Sequence, residues 1–289
     1  GCVPKKLMVY ASHIRHDIED AAGFGWRVPS ASFDWPTFIA NKDREIARLE
    51  AAYTANLDKA GVAIVKARAV FEDAHRLRLD NGDTVRAGHV LIATGGTPSH
   101  GAAIPGIEHV ISSNEGFHLP ALPKRILIQG GGYIALEFAC IFAGFGSQVT
   151  VVYRGDNILR GFDDDVRAHV HGEMEKAGIA FRFGATVTRI DKHGGELVSY
   201  LSDGKPAASD QVLFAIGRHP NIAGLGLDKA GVALDPRNGG IAVDAFSQTS
   251  VPHIHAVGDV THRVNLTPVA IREGHAFADT VFGGRAVRV

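Results

Sequence analysis

The spacing of apolar residues predicts two long helices at the start of the chain. Apolar side chains recur at helical spacing between residues 5 and 22, and two glycines then end the pattern. A second stripe follows Asp34, a residue that can cap a helix, and this helix tolerates Pro36 in its first turn and ends at Gly61. The residues expected on the two buried stripes are Leu7, Tyr10, Ile14, Ile18 and Ala21, and Ile39, Ile46, Leu49, Tyr53 and Leu57.

Beyond Gly61 the pattern changes to that of strands. Short apolar or alternating runs at 62–65, 69–71 and 75–79, followed by a turn at Asn81-Gly82, predict a small antiparallel meander. Residues 89–93 are nearly all apolar, which is typical of a strand buried on both faces in a parallel sheet. The stretch 95–106 is rich in Gly, Pro and Ser and is predicted to connect two domains.

The middle of the chain has the pattern of a βαβ unit. A strand at 125–129 leads through three glycines into an apolar helix from 133 to about 143, and a second strand follows at 148–153. The remaining predicted elements are a helix from about 164 to 176, strands near 180–200 and at 211–215, short strands around Ile241 and Ile254, and a final helix from about 268 to 282. An α/β fold with two sheet systems is therefore expected.

Composition narrows the class of protein. The chain has 289 residues, 45% of them hydrophobic, which is enough for two ordinary domains. The net charge of −1 favours neither a nucleic acid nor an anionic membrane as a partner. No apolar run approaches the ~18 residues needed to cross a bilayer and no signal-peptide layout is present, so a cytoplasmic location is predicted.

A glycine-rich fingerprint lies inside the βαβ unit. Gly130-x-Gly132-x-x-Ala135 follows a predicted strand and opens a helix. In that context the first glycine permits a tight turn, the second lets the backbone approach a pyrophosphate, and the small third residue lets helix and strand pack closely. The alternative is an ordinary glycine turn, but the flanking elements favour dinucleotide binding.

Two arginines indicate which dinucleotide would bind. NAD sites usually carry a carboxylate at the end of the second strand, where it hydrogen-bonds the ribose. Here that place has Arg154, with Arg160 six residues further on. Guanidinium groups suit a 2′-phosphate, so the sequence favours NADPH over NADH, the alternative being two solvated surface charges.

The two cysteines lie in contrasting surroundings. Cys2 precedes Lys5 and Lys6 at the start of the first helix, where the helix dipole and two ammonium groups favour a thiolate, although an inert thiol is an equal alternative. Cys140 lies in the apolar helix after the glycine loop and is expected to fill the core. The 15 histidines form no complete ligand set, so no metal site is predicted.

Taken together, five strings in order resemble the flavin-dependent pyridine nucleotide–disulfide oxidoreductases. The strings are residues 1–6, 93–96, 130–137, 215–218 and 256–259. The run Cys-Val-Pro-Lys-Lys-Leu-Met-Val-Tyr-Ala-Ser, the arginine pair and residues 266–270 are similar to the branch of this family that reduces glutathione disulfide. The resemblance implies two Rossmann-like domains, FAD and NADPH as cofactors, and glutathione disulfide as the small-molecule substrate.

The resemblance also implies roles for individual residues. Cys2 matches the cysteine that stacks on the flavin as a thiolate, Lys5 the lysine near the reactive edge of the flavin, and Glu137 its ion-pair partner. Residues implied to contact the cofactors are Thr94, Gly95, Gly130, Gly132, Tyr133 as an aromatic lid, Ile134, Ala135, Arg154 and Arg160 as a 2′-phosphate clamp, Gly217, Arg218, Gly258, Asp259 at the ribityl chain of FAD, Leu266 and Thr267.

The domain division implied by the resemblance is discontinuous. Residues 1–97 and 221–289 match an FAD-binding domain, and residues 98–220 match an NADPH-binding domain. The family's first FAD motif, its first cysteine and its C-terminal interface domain have no counterpart in these 289 residues, so we expect an incomplete FAD domain, negligible reductase activity from this chain alone, and a homodimer only for a parent enzyme. The alternatives are a trypanothione, mercuric or dihydrolipoyl-type reductase, a non-catalytic NADPH-binding chain, or a glycine-rich scaffold with no ligand.

Overall fold

The computed structural model describes residues 1–289 as an α/β protein with seven α-helices and fifteen strands. In chain order the elements are α1 (Cys2–Asp20), α2 (Trp35–Lys59), β1 (Ala69–Asp73), β2 (Arg76–Leu79), β3 (Thr84–Arg86), β4 (Val90–Ile92), β5 (Gly96–Pro98), β6 (Val110–Ile111), α3 (Ser113–Gly116), β7 (Arg125–Gln129), α4 (Tyr133–Gly144), β8 (Gln148–Tyr153), α5 (Asp164–Lys176), β9 (Ala180–Phe183), β10 (Val187–His193), β11 (Glu196–Leu201), β12 (Pro206–Ser209), β13 (Gln211–Phe214), β14 (Arg218–Pro220), α6 (Leu227–Ala230), β15 (Ile254–Ala256) and α7 (Thr267–Val281). No helix combines the length and apolar composition needed to span a bilayer.

The chain divides into two compact units. The first unit contains residues 1–60 and 98–217, and the second contains residues 61–97 and 218–289. The second unit is thus discontinuous in sequence. The grouping differs from the expected division at residues 1–60, because α1 and α2 pack within the first unit.

The first unit is built on a five-stranded parallel sheet in the order β6-β13-β7-β8-β9. Side chains alternate between its two faces: Ile126 and Ile128 of β7 join a core with α1, α2 and α4, while Leu127 joins a second core with the β10-β11-β12 meander. Because both faces are covered, β7 is apolar throughout. The βαβ prediction and the α5 bounds are confirmed.

The two N-terminal helices form as predicted, but they bury other residues. Asp34 caps α2 by accepting a hydrogen bond from the Thr37 amide at 2.9 Å. In α1 the buried residues are Met8 and Ser12, while Tyr10 and Ile14 of the expected stripe are exposed. The reason is that α1 crosses α4 closely, with Ser12 against Gly144. In α2, similarly, Tyr53 and Leu57 are exposed.

The second unit contains an antiparallel meander, β1-β2-β3, and a parallel pair, β15-β4. The predicted strand at 62–65 is wrong: this segment has no strand partner, and its apolar side chains are exposed, so neither hydrogen bonds nor burial favour an extended ladder. The strand at 89–93 forms as β4, but of its three residues only Ile92 is buried. Around Ile241 a single bridge to Leu234 replaces the expected strand.

Candidate functional site

The glycine loop of the first unit makes the tight turn that the fingerprint predicts. Gly130 has a φ of +146°, a conformation that favours glycine, and its amide donates to the Val152 carbonyl oxygen at 2.9 Å. A Cβ at this position would lie 2.3 Å from the Ala215 carbonyl oxygen and 3.1 Å from the Ala135 Cβ. Ala135 is itself fully buried. Gly130 and Ala135 therefore let the loop pack between β13 and α4.

Gly132 differs from Gly130 in its surroundings. It is exposed, lies immediately before α4, and has no atom within 4 Å of the place where a Cβ would be. The first amides of a helix have no intrahelical acceptor and lie at the positive end of the helix dipole. Helix α4 begins here at Tyr133, so the open space at Gly132 adjoins the positive end of a helix, where an anion is stabilised.

Arg154 and Arg160 lie on the loop after β8, next to the glycine loop. The Leu159 amide donates to the Gly131 carbonyl oxygen at 2.7 Å, which ties the two loops together. Both arginines are exposed, and neither guanidinium makes a hydrogen bond or an ion pair within the chain. Two uncompensated positive charges therefore lie beside an open helix N-terminus.

Cys2 and Lys5 share the first turn of α1. Cys2 is exposed, and the Lys5 amide donates to the Gly1 carbonyl oxygen at 3.1 Å. The Lys5 Nζ donates to the Glu137 Oε1 at 2.8 Å, which joins α1 to α4. The structure therefore contains the Lys5–Glu137 contact that the family resemblance implies, within one unit.

We expect this ion pair to add only modest stability. The Lys5 and Glu137 side chains are 27% and 35% exposed, so solvent screens the pair. A double-mutant cycle with Lys5→Met and Glu137→Gln should yield a coupling of about 0.5–1 kcal/mol in urea unfolding. Lys6→Met is the matched control and should not couple to Glu137→Gln. A coupling above ~2 kcal/mol would contradict the screened geometry.

The expectation that Cys140 fills the core is wrong. Cys140 is exposed on α4, because the buried side of this helix is formed by other residues, among them Leu136 and Phe138. Neighbouring groups nevertheless desolvate the thiol, and together with the Glu137 carboxylate they raise its pKa above the ordinary value for cysteine.

In the second unit, the segments that follow β4 and β14 are joined by hydrogen bonds around Thr94. The Thr94 hydroxyl donates to the Asn221 carbonyl oxygen at 2.8 Å, and the Asn221 side-chain amide donates to the Thr94 carbonyl oxygen at 3.1 Å. The Asn221 backbone amide donates to the Gly95 carbonyl oxygen at 2.9 Å. Three hydrogen bonds thus position the strand-ending turn at Gly95.

Asp259 and Arg218 meet at Gly96. A Cβ at Gly96 would lie 3.4 Å from the Asp259 Cβ and 3.6 Å from the Arg218 Nε, and the Arg218 guanidinium donates to the Gly96 carbonyl oxygen. Gly258 precedes Asp259 with a φ of +73°. Three strand-ending strings that are far apart in sequence are therefore brought to one place. Gly217, by contrast, belongs to the first unit.

The start of α7 completes this cluster. Leu266 is the N-cap, Thr267 is the first residue, and Ala270 of the first turn lies 3.3 Å from the position of a Cβ on Gly258. One turn further, the buried Glu273 accepts from the Gly258 amide at 2.7 Å and from the Arg263 guanidinium at 2.6 Å.

The sequence reasoning missed Glu273 and Arg167. Glu273 could have been found, because it lies between Ala270 and Phe277 on the apolar side of α7, where a charge needs a partner. Arg167 carries no such signal, since arginine near the start of a helix is ordinary. Its contacts to the 157–158 backbone appear only in the folded unit.

Comparisons with known proteins show the family to which the chain is similar. Residues 1–274 match the model of the family described as pyridine nucleotide-disulphide oxidoreductase. The chain is 50% identical over 287 residues to glutathione reductase from Burkholderia cepacia, covering 99% of this chain and 63% of that protein. It is 48% identical over 294 residues to glutathione reductase from Nostoc sp., covering 98% of this chain and 64% of that protein.

A solved structure with the same fold is the HOCl-induced flavoprotein disulfide reductase RclA from Escherichia coli. The TM-score is 0.88 at 27% identity, and the match covers 100% of this chain and 62% of that one. The chain thus spans a little under two thirds of the length of these relatives. Because the family model matches nearly all of it, the chain belongs to the pyridine nucleotide–disulphide oxidoreductase family.

Proposed function

We propose that this chain supplies the NADPH site and part of the FAD site of a flavoprotein that reduces glutathione disulfide. The observation that carries the proposal is the pair of uncompensated guanidinium groups, Arg154 and Arg160, beside the open glycine loop. The substrate class rests on the names of the two relatives at 50% and 48% identity.

The residues of the first unit suit a 2′-phosphorylated dinucleotide. The open space at Gly132 would admit a pyrophosphate that a Cβ would crowd, and the N-terminus of α4 would stabilise its negative charge. Arg154 and Arg160 would bind the 2′-phosphate, since each guanidinium offers fixed, charge-assisted donors. Tyr133, at the first position of α4 and 42% exposed, would cover the nicotinamide.

The residues of the second unit suit part of a flavin site. Asp259 would hold the ribityl hydroxyls beside Gly95 and Gly258, whose positive φ angles favour glycine, and Thr267 would face the pyrimidine end of the ring. Glu273 would keep the Gly258 turn in place through its amide contact. The assignment of FAD to residues 1–97 and 221–289, and of NADPH to residues 98–220, stays a prediction, as does a homodimer.

Cys2, Lys5 and Glu137 would serve the redox chemistry. When bound, NADPH would supply a hydride, and FAD would pass its electron pair on to the disulfide. The S–S bond would then break, and the two sulfurs would take up one proton from the hydride and one from solvent, leaving two thiols. The Lys5 ammonium is held by Glu137, and Lys5 lies in the same turn of α1 as Cys2.

A chimaera tests the substrate and the electron donor. Residues 1–289 replace the matching segment of Burkholderia cepacia glutathione reductase, and oxidation of NADPH is followed with glutathione disulfide or trypanothione disulfide as acceptor. We expect turnover within about tenfold of the parent with NADPH and glutathione disulfide, and at least ~10-fold less with NADH.

The matched control is the same chimaera with Cys2→Ser, which should fold and bind flavin but lack turnover. A chimaera that binds flavin and prefers trypanothione disulfide would contradict glutathione disulfide as the substrate and favour the trypanothione-type alternative. A folded chimaera that uses NADH as readily as NADPH would contradict the proposed cofactor.

A further inference from the structure

The loop that carries Arg154 and Arg160 contains little regular structure, yet part of it is firmly held. Ile158 is fully buried, and Leu159 is 8% exposed with a φ of +53°, a left-handed conformation that residues other than glycine rarely adopt. Such a conformation persists only where surrounding contacts hold it. The Leu159 amide bond to Gly131 is one of these contacts.

The second contact comes from Arg167 in α5. Its Nε donates to the Ile158 carbonyl oxygen at 2.8 Å, and its Nη2 points to the Asn157 carbonyl oxygen at 3.4 Å. Its Nη1 donates to Asp164 at 2.6 Å, and the Arg167 side chain is 18% exposed. The guanidinium therefore spans from the helix to two consecutive carbonyl groups of the loop.

Arg160 follows the left-handed residue Leu159 directly, so the backbone at 157–159 sets the direction in which its side chain leaves the loop. We propose that Arg167 is a positioning residue: it fixes this backbone and thereby sets the preference for a 2′-phosphorylated nucleotide. The inference rests on the proposed NADPH site and adds a residue that does not itself touch the ligand.

The test compares two probes that differ only in the 2′-phosphate, 2′,5′-ADP and 5′-AMP, by calorimetric titration of the 289-residue chain. The ratio of their dissociation constants measures the preference. In Arg167→Gln this ratio should fall about tenfold, with affinity for 5′-AMP changed by less than ~2-fold. Asp164→Asn, which contacts Arg167 but not the loop, is the matched control and should keep the ratio of the unmodified chain.

Arg167→Lys separates position from charge. Lysine keeps the positive charge but lacks the planar fork that reaches both carbonyl groups, so the ratio should still fall by at least ~3-fold. Hydrogen exchange should become faster at the amides of 158–160 and stay unchanged in β7. Because this variant removes neither charge nor bulk, it serves as the test if Arg167→Gln does not fold.

Three outcomes would overturn the inference. If Arg167→Lys keeps the full ratio, only the charge matters. If both probes weaken in parallel, the role is structural and unrelated to the 2′-phosphate. If the unmodified chain itself does not prefer 2′,5′-ADP, the proposed NADPH site fails and the inference fails with it, a result that is distinguishable from the first two.

Discussion

Replacing both Arg154 and Arg160 by alanine should abolish the preference of the chain for NADPH. Each guanidinium is exposed and has no partner in the chain, so its charge-assisted contacts are available to a ligand. At about 1.5–2 kcal/mol for each, the double variant should bind NADPH roughly 100- to 1000-fold more weakly. Affinity for NADH, which lacks the 2′-phosphate, should change by less than ~3-fold, as measured by titration of each nucleotide.

A charge-matched control distinguishes direct binding of the 2′-phosphate by Arg154 and Arg160 from the effect of the protein's overall charge. Arg27 and Arg44 lie in the same unit, are exposed, and also have no ion pair, so Arg27→Ala/Arg44→Ala removes the same charge elsewhere. This control should change affinity for NADPH by less than ~2-fold at moderate ionic strength. Equal weakening of NADPH and NADH in the clamp variant would show that the arginines do not recognise the 2′-phosphate.

Gly130→Ala should destabilise the first unit strongly. The φ of +146° disfavours any L side chain, and the added Cβ would lie 2.3 Å from the Ala215 carbonyl oxygen, which is backbone and cannot rotate away. Strain and overpacking together should cost about 2–5 kcal/mol in the free energy of unfolding. Urea unfolding followed by circular dichroism measures this loss.

Gly132→Ala is the same chemical change two residues away, but it should affect nucleotide affinity much more than stability. At a φ of −89° with nothing within 4 Å, the new methyl group should cost less than ~1 kcal/mol in stability. It occupies the space proposed for the pyrophosphate, however, so nucleotide affinity should fall roughly tenfold or more. A Gly132→Ala variant with unchanged nucleotide affinity would contradict this location for the site.

The sequence predicted best those elements whose signals are local. The strands β7 and β8, the helix α4 between them and the helix α5 were found with nearly correct bounds, because an apolar run, a glycine turn and a helical stripe each leave a mark within a few residues. The Asp34 cap was found for the same reason.

Errors occurred where a long-range contact overrides the local pattern. The apolar run at 62–65 has no partner strand, and Cys140 is exposed although its helix is strongly apolar. In α1 the close contact between Ser12 and Gly144 determines which side of the helix is buried. The larger apolar side chains Tyr10 and Ile14 are therefore exposed. Such choices depend on which surfaces face each other, which periodicity does not encode.

The sequence by itself determined the family motifs, their order and the residue types available to the two proposed cofactors. Only the tertiary structure decided which groups support them: Arg167 holds the backbone before Arg160, and the buried Glu273 holds the amide of Gly258. The physical reason is that motif residues are constrained by short-range geometry, a turn or a helix start, and so recur at fixed spacing. A supporting side chain needs only to reach a backbone carbonyl or amide group elsewhere in the fold. Residues at many sequence positions could do this, so no fixed spacing reveals them.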